Sequence, residues 1–198
     1  NDPLKGQKGN LGEGGVRVPL LVKWPDKIEP ATTCNEPVTV VDYFPTLVEI
    51  GGADISPYKD VDGESFVPLL KGEKHLKRKA IFWHLTSYNG NGKSNSMLWQ
   101  PPGGAIRKGD WKLIENFEDG SLELYNLKND IGEKTDLSRV NPRKKRELFK
   151  ELKAWQKKTN APIPSEKNPT FNEESLFWTT QSNVRNPEEA ENLTIIKD

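Results

Sequence analysis

The chain has 198 residues, which is enough for one domain or for one domain with a small satellite. Only 33% of the residues are hydrophobic, but six Trp, seven Phe and four Tyr supply core material, so the composition excludes a disordered chain. Lys plus Arg and Asp plus Glu both number 29, which excludes a general attraction to nucleic acid or to an anionic membrane. The single cysteine, Cys34, excludes an internal disulfide, and no apolar stretch approaches the ~20 residues of a membrane span. Because the chain begins at Asn1 rather than Met, we expect a fragment with any targeting segment upstream.

The first half of the chain alternates glycine-rich and apolar segments. Residues 1–15 contain five glycines and predict a loop whose backbone can approach a ligand closely. The apolar, β-branched run from Val16 to Trp24 predicts a strand, with Pro19 indicating an edge position or an irregular start. Helical segments are predicted at residues 43–50, between Asp42 as N-cap and Gly51-Gly52, and at residues 65–70.

The second half predicts a small sheet with one helix. Short β-branched and aromatic runs are separated by polar turns, and Asp119-Gly120 is a strong hairpin signal. Asn141 and Pro142 begin the longest helix, whose apolar stripe is suited to packing on the sheet. This pattern predicts an antiparallel sheet with one helix, an α+β unit. The strands are predicted at residues 80–85, 105–107, 111–116 and 121–125, and a long polar loop is predicted at 86–103. The apolar stripe of the helix consists of Leu148, Phe149, Leu152 and Trp155. An extended tail is predicted at 161–198.

Lys8 is the first candidate for a binding residue. It lies among glycines in the run Lys5-Gly6-Gln7-Lys8-Gly9, where a lysine can bring a positive charge and bare backbone N–H groups to an oxyanion. The alternative is a solvated loop lysine, which composition and spacing alone favour. A phosphate-binding P-loop is excluded, because the pattern G-x-x-x-x-G-K-[ST] is absent and the glycines precede a predicted strand rather than a helix.

His84 is the second candidate, at the end of the predicted strand 80–85. A histidine there could be a general acid or a hydrogen-bond donor to a sulfate or hydroxyl group. The alternative is a core histidine beside Trp83, and the residues alone leave both interpretations open. The basic run 143–146 lies opposite the apolar helical stripe and lacks interleaved aromatic residues, so we expect a solvated helix face and no nucleic-acid partner.

Several strings carry a family resemblance. The ungapped string N-D-P-L-K-G-Q-K-G-N-L-G-E-G-G-V-R-V-P is similar to the sulfatase pattern P-L-[RK]-G-x-K-G-x-x-x-E-G-G-[IV]-R-V-P. The strings I-F-W-H, P-G-G-A-I-R-K-G-D-W-K-L-I-E and E-L-Y-N-L-K-N-D-I-G-E-K-T-D-L are similar to the C-terminal region of sulfatases that act on sulfated carbohydrates. The resemblance implies that Lys8 contacts the sulfate of the substrate and that His84 is an active-site residue. Many of those sulfatases continue H-Y-P-H-Y, whereas here Thr86 and Ser87 replace the proline and the second histidine, so Ser87 receives no role.

The resemblance implies a type I sulfatase of the alkaline-phosphatase superfamily, an arylsulfatase-like sulfuric ester hydrolase, with a sulfated carbohydrate as the expected substrate. The implied fold class is α/β. Residues 1–70 would be the end of a large sulfatase-type α/β domain. Residues 78–160 would form a small α+β domain with a four-stranded antiparallel sheet packed on one long helix, followed by the tail 161–198.

The same resemblance implies cofactors that lie upstream of this chain. Sulfatases use a formylglycine nucleophile made from a C-x-P-x-R or S-x-P-x-R motif, together with a divalent metal, here expected to be calcium. Cys34 is followed by Asn35-Glu36-Pro37-Val38, which is not that motif. The family's metal carboxylates also precede the lysine loop. We therefore expect the N-terminal catalytic portion of the same protein as a partner, an inactive isolated fragment, and a periplasmic or secreted location.

Two alternatives to a sulfatase stay open at this stage. The first is a phosphate or phosphonate ester hydrolase of the same superfamily, which the upstream nucleophile would distinguish. The second is a non-catalytic glycan-binding or interaction module, in which exposed Trp83, Trp99 or Trp111 stacks on sugars. That module would bind sulfated glycan without turnover.

Overall fold

The structure is a computed structural model that describes residues 1–90 and 98–166. The chain forms two compact units, one of residues 1–18 with residues 82–166 and one of residues 19–81. The sequence predicts a different grouping, with residues 1–70 in one domain. The division of the whole protein into domains stays a prediction. Most of the predicted tail, from residue 167 onward, lies outside the described residues.

The described elements follow the predicted order in most of the chain. The helices are α1 (Glu13–Val16), α2 (Tyr43–Ile50), α3 (Val67–Leu70) and α4 (Pro142–Lys158), with a 3₁₀ turn at Val40–Asp42. The strands are β1 (Ile81–Leu85), β2 (Asn89–Gly90), β3 (Leu98–Gln100), β4 (Gly103–Lys108), β5 (Trp111–Asn116) and β6 (Leu122–Asn126). No helix in the described ranges is long and apolar enough to cross a membrane.

Asp42 organises the unit of residues 19–81. Its buried carboxylate accepts hydrogen bonds from the backbone N–H groups of Thr39 and Glu64 at 2.8 and 3.0 Å. The Arg78 guanidinium donates two more, at 2.5 and 2.8 Å. Burial alone would raise the pKa of Asp42, but the hydrogen bonds from Arg78 and the backbone lower it overall. The predicted helix α2 is confirmed, although the Asp42 side chain fixes the preceding 3₁₀ turn instead of capping α2.

A small apolar core completes this unit. Phe66, Leu69 and Leu76 are buried together, and the partly buried Val38 and Leu70 pack against them. α3 lies within the predicted segment 65–70 and confirms the short helical turn there.

The predicted strand from Val16 to Trp24 is wrong. Val16 ends α1, and residues 17–24 form neither strand nor helix. A strand needs a neighbour for its backbone N–H and C=O groups, and no other described segment pairs with this run. The apolar side chains stay uncovered as a result, with Leu21 92% exposed. Local β preference therefore did not suffice without a pairing partner.

The unit of residues 1–18 and 82–166 contains the predicted sheet. Its strand order is β1-β4-β5-β6, and β5 pairs antiparallel with both β4 and β6. Leu113 at the centre lies opposite Ile106 on one side and opposite Leu124 on the other. The predicted four-stranded antiparallel sheet with one helix is confirmed.

α4 begins and packs as its sequence predicts. Asn141 is the N-cap and its side chain accepts a hydrogen bond from the N–H of Lys144 at 3.3 Å, while Pro142 occupies the first turn. Leu148 and Leu152 are fully buried, and the helix packs on β4 and β5.

The predicted loop 86–103 is partly wrong. β2 and β3 pair antiparallel within it, with Asn89 opposite Gln100. Each of these strands has only two or three residues, which is too short to show an alternating pattern within a polar segment. Residues 91–97, between the two strands, lie outside the described residues.

Candidate functional site

Lys8 lies at the tip of a tight turn. The backbone N–H of Asn10 donates to the Gln7 carbonyl at 2.9 Å, and the N–H of Gln7 donates to Asn10 Oδ1 at 2.7 Å. Gly9 has a φ of 93°, the left-handed region that the third position of a type II turn requires. The Lys8 side chain is exposed at this tip. Residues 7–10 are the Lys8 turn.

The Lys8 turn packs against the backbone of α1. The N–H of Gly14 donates to the Lys5 carbonyl at 2.8 Å. A Cβ added to Gly14 would lie 2.8 Å from that carbonyl oxygen, and one added to Gly15 would lie 2.6 Å from the Gln7 carbonyl oxygen. Both distances are too short for a carbon–oxygen contact. Glycine at position 15 therefore allows the Lys8 turn and α1 to touch, and glycine at position 14 allows Lys5 and Gly6, just before the turn, to approach α1.

Glu13, the first residue of α1, belongs to a buried ion cluster with Lys112 and Glu133. Lys112 Nζ lies 3.0 Å from Glu13 Oε1 and 2.9 Å from Glu133 Oε1, and the three side chains are at most 1% exposed. Glu133 Oε2 accepts a hydrogen bond from the backbone N–H of Glu13 at 2.6 Å. The sheet therefore holds α1 through both a side chain and the backbone. These three residues are the Lys112 cluster.

Two arginines add positive charge beside the Lys112 cluster. Glu13 Oε2 makes no hydrogen bond with the described residues, but it lies 3.6 Å from Arg107 Nη1 and 3.7 Å from Arg17 Nη1. Burial raises the pKa of the Glu133 carboxyl, and the charge of Lys112 opposes this rise without cancelling it. The arginines thus help to balance two buried carboxylates.

A second anchor, formed by Lys5, Glu123 and Tyr125, joins the same loop to β6. Lys5 Nζ donates to Glu123 Oε2 at 2.9 Å and to the Tyr125 hydroxyl oxygen at 2.8 Å. The Tyr125 hydroxyl donates in turn to Glu123. Burial and the charge of Glu123 raise the pKa of Tyr125, so this donor stays protonated.

The strand register divides the sheet into two faces. Lys112 lies opposite Arg107 and Tyr125, so these three side chains share one face, which contacts the N-terminal loop through Glu13 and Lys5. This is the loop face. The other face carries Leu113 and the residues opposite it, and α4 covers it. This is the helix face.

His84 lies on β1 and packs toward α4. Its ring centre is 5.1 Å from that of Phe117 and 6.2 Å from that of Trp155 on α4. Nε2 lies 2.8 Å from the Pro162 carbonyl oxygen, so this nitrogen is the donor. Nδ1 is buried and has no hydrogen-bond partner within residues 1–90 and 98–166. These are the surroundings of a packed histidine.

The two predicted site residues lie in the same unit but belong to different faces of its sheet. Neighbouring strand residues point to opposite faces, and Trp83 has its ring centre 5.8 Å from Lys112 Nζ on the loop face. The turn that carries Lys8 is attached to the loop face, whereas His84 packs on the helix face. The predicted roles of both residues in binding sulfate stay predictions.

Comparison with known proteins identifies the family. Residues 7–161 match the family described as N-sulphoglucosamine sulphohydrolase, C-terminal. The chain belongs to the sulfatase family. A sulfatase of Formosa agariphila is 36% identical over 176 residues, which cover 82% of this chain and 31% of that protein. Steryl-sulfatase of Homo sapiens is 33% identical over 101 residues, which cover 51% of this chain and 17% of that protein.

Solved structures share the fold. Ps i-CgsB in complex with k-i-k-neocarrahexaose has a TM-score of 0.62 and 28% identity, over 78% of this chain and 32% of that chain. A protein in complex with its substrate, D-glucosamine-2-N, 6-O-disulfate, has a TM-score of 0.52 and 28% identity, over 63% of this chain and 25% of that chain. The chain thus spans about a third of the length of the Formosa relative. The matches confirm the predicted family and favour neither alternative.

The described residues do not fit the implied metal or nucleophile. Within residues 1–90 and 98–166, no group of three or more His, Cys, Asp or Glu side chains could hold a metal ion. Cys34 is exposed and lies outside any C-x-P-x-R motif. The described residues can offer a sulfatase site charge, hydrogen bonding and shape.

Sequence patterns alone do not reveal the whole Lys112 cluster. Glu13 and Lys112 both lie inside the strings that carry the resemblance, but 99 positions separate them. Strand alternation indicates one part of the cluster. Lys112 shares a face of β5 with Ile114, and a buried lysine there requires a carboxylate as its partner. Glu133, in the connection after β6, gave no comparable signal.

Proposed function

We propose that this chain is the C-terminal part of an enzyme that hydrolyses sulfate esters, and that Lys8 binds the sulfate group. Family membership supports the reaction, since residues 7–161 match a sulphohydrolase family. The single observation that carries the binding role is the exposed position of Lys8 at the tip of a glycine-bounded turn.

The Lys8 turn suits a sulfate for two physical reasons. A lysine ammonium group is a compact positive charge, and an exposed tip lets it approach a sulfate oxygen. Gly9 has no side chain, so a tetrahedral anion can come close to the backbone of the turn. Attack of a nucleophile on sulfur adds negative charge around the sulfate oxygens, and the electron pair of the breaking S–O bond moves to the leaving-group oxygen. A fixed positive charge at Lys8 stabilises that transition state more than the ground state.

We assign the substrate to the sulfated carbohydrates. Support comes from the two structural neighbours, whose structures contain a neocarrahexaose and a disulfated glucosamine. An ulvan-active sulfatase of Formosa agariphila adds to this support, with 31% identity over 70% of this chain.

The remaining chemistry belongs to the N-terminal catalytic portion that the resemblance implies. A formylglycine nucleophile and a divalent metal, expected to be calcium, would supply attack on sulfur and charge neutralisation there. The described residues offer no ligand set for such a metal. A periplasmic or secreted location belongs to the same proposal.

A sulfate contact by His84 is the second part of the site prediction. It requires a rearrangement, because Nε2 is bound to the Pro162 carbonyl at 2.8 Å and Nδ1 is buried. The proposal for His84 is therefore that Nε2 leaves Pro162 before it donates to the sulfate or to the leaving oxygen.

Lys8→Ala in the full-length protein tests the proposed function. With 4-nitrophenyl sulfate as substrate, we expect kcat/KM to fall by at least about 100-fold, the usual effect of removing one group that stabilises transition-state charge. Lys128→Ala is the matched control, because Lys128 is also an exposed lysine in a turn, and its turnover should equal that of the unmodified enzyme. A Lys8→Ala enzyme with the activity of this control would rule out the binding role.

A further inference from the structure

We propose that Lys112 and Glu133 are positioning residues that hold the Lys8 turn in its working place. This inference rests on the proposed role of Lys8 as the sulfate-binding residue. Both positioning side chains are 0% exposed, so they do not face a substrate themselves. They act through Glu13, which connects the sheet to α1, and the Lys8 turn packs against Gly15 of that helix.

The connection begins at the centre of the sheet. Lys112 is fixed on β5 by its register opposite Arg107 and Tyr125. Its Nζ holds the carboxylates of Glu13 and Glu133 within 3.0 Å. In such a buried setting the removal of one partner leaves an uncompensated charge, so the three groups keep each other in place.

Glu133 extends the connection to the backbone of α1. An N–H group in the first turn of a helix has no partner within the helix, and α1 has no side-chain cap of its own. Glu133 Oε2 takes this place by accepting from the N–H of Glu13 at 2.6 Å. A Cβ at Gly12 would lie 3.1 Å from the same oxygen, so the small residue there leaves room for the carboxylate.

The last step runs from α1 to the Lys8 turn. The backbone N–H of Gly14 donates a hydrogen bond to the Lys5 carbonyl. The backbone of Gly15 lies against the Gln7 carbonyl and leaves no room for a Cβ. A shift of Glu13 therefore displaces the surface on which the turn rests. A misplacement of about 1 Å in a positioned catalytic group is enough to lower the rate by about 100-fold.

The charges of this cluster are suited to positioning more than to stability. The attraction within a buried ion group offsets little more than the free energy lost when its charges leave water. Apolar residues of the same size therefore often stabilise a fold equally well. What an ion group supplies is a narrow range of distances and directions. Loss of the cluster should therefore impair turnover even where the enzyme stays folded.

Glu133→Gln and Lys112→Met in the full-length protein test this inference, because each removes one charge and keeps the side-chain length. At a temperature where circular dichroism shows a folded enzyme, we expect kcat/KM for 4-nitrophenyl sulfate to fall by about 10- to 100-fold. The inhibition constant of inorganic sulfate should rise in the same variants, because a displaced Lys8 binds the anion less well. This second measurement reports on Lys8 and would not respond to a purely structural role.

Asp42→Asn is the matched control for lost stability. Asp42 is also a fully buried carboxylate paired with a cation, but its described hydrogen bonds stay within residues 19–81. We expect Asp42→Asn to lower the unfolding midpoint without changing kcat/KM or the sulfate inhibition constant in the folded enzyme.

The outcomes separate this inference from the proposed function. If Lys8→Ala leaves turnover unchanged, the binding role itself fails. If Lys8→Ala abolishes turnover while Glu133→Gln and Lys112→Met behave like Asp42→Asn, the positioning role is overturned and the binding role stands. Should both cluster variants fail to fold, Glu133→Asp decides, because it keeps the charge beside Lys112 but shortens the side chain that accepts from the Glu13 N–H. A lower kcat/KM supports the positioning role, and an unchanged value overturns it.

Discussion

The two faces of the four-stranded sheet are held to the rest of their unit by different interactions. On the helix face, Leu113 and Leu124 of the sheet and Leu148 and Leu152 of α4 are all 0% exposed. On the loop face, the central group is Lys112, which is equally buried but paired with carboxylates. The centre of the helix face is therefore apolar, whereas the centre of the loop face is charged.

This difference separates the face that supports the fold from the face that positions Lys8 in the proposed function. Apolar burial is non-directional, and it stabilises the folded state roughly in proportion to the area removed from water. A buried ion cluster adds little net stability but fixes its members in one geometry. The helix face should therefore govern unfolding, and the loop face should govern the position of Lys8.

Leu152→Ala is expected to have the largest effect, and only on stability. The side chain is fully buried, so its truncation leaves a cavity and should lower the free energy of unfolding by about 2–5 kcal/mol. Urea unfolding followed by circular dichroism measures this loss. The comparison of the two faces predicts unchanged kcat/KM in the folded variant, and a clear fall in kcat/KM there would contradict it.

Gly15→Ala probes the opposite face and should impair turnover more than stability. The added Cβ would lie 2.6 Å from the Gln7 carbonyl oxygen and would push the Lys8 turn away from α1. We expect kcat/KM for 4-nitrophenyl sulfate to fall by about 100-fold. Gly51→Ala is the control, because its φ is −74° and the nearest atom to an added Cβ is 3.3 Å away. Equal activities of the two variants would contradict the packing argument.

His84→Gln should have a smaller effect on turnover than Lys8→Ala. His84 Nε2 must leave the Pro162 carbonyl before it can donate to a sulfate, so its contribution should not exceed that of one ordinary hydrogen bond. We expect kcat/KM to fall by about ten-fold or less. Steady-state kinetics with 4-nitrophenyl sulfate measures the loss. A fall as large as that for Lys8→Ala would contradict the smaller contribution expected of His84.

The elements that the sequence predicts well are those with local signals. Asn141-Pro142 marks the start of α4, and Asp119-Gly120 marks the turn before β6, because capping and turn geometry depend on a few neighbouring residues. The segment from Val16 to Trp24 shows the opposite case. Its composition favours a strand, but strand formation depends on a partner elsewhere in the chain.

The candidate site residues show the same difference between local and long-range signals. Lys8 is a candidate because it lies in one continuous string that resembles the sulfatase pattern, and its role stays a prediction. The Lys112 cluster joins residues 13, 112 and 133, so only the folded chain brings them together. The placement of His84 on the helix face likewise depends on contacts with Phe117 and Trp155, which no local pattern encodes.

The smallest expected effect concerns Asp136, which supports the helix face by a backbone contact. Its carboxylate accepts hydrogen bonds from the N–H groups of Leu124 and Ser138 at 2.9 and 2.8 Å, and from the Ser138 hydroxyl at 2.8 Å. Burial alone would raise the pKa of Asp136, but these hydrogen bonds lower it overall from its ordinary value of 3.8. The folded state therefore binds fewer protons than the unfolded state in acid.

The sign of the pH dependence of this contribution follows from that difference. The stabilisation by Asp136 is present above its unfolded pKa and is lost as the pH falls through the lowered folded value. Asp136→Asn should reduce the free energy of unfolding near neutral pH by about 1 kcal/mol or less, because the group is largely exposed to solvent, and the difference should vanish in acid. Urea unfolding of both proteins across the acid range measures it. Because Leu124 lies on the helix face, kcat/KM should not change. A variant that lost turnover but kept its stability would contradict the conclusion that the helix face supports only the fold.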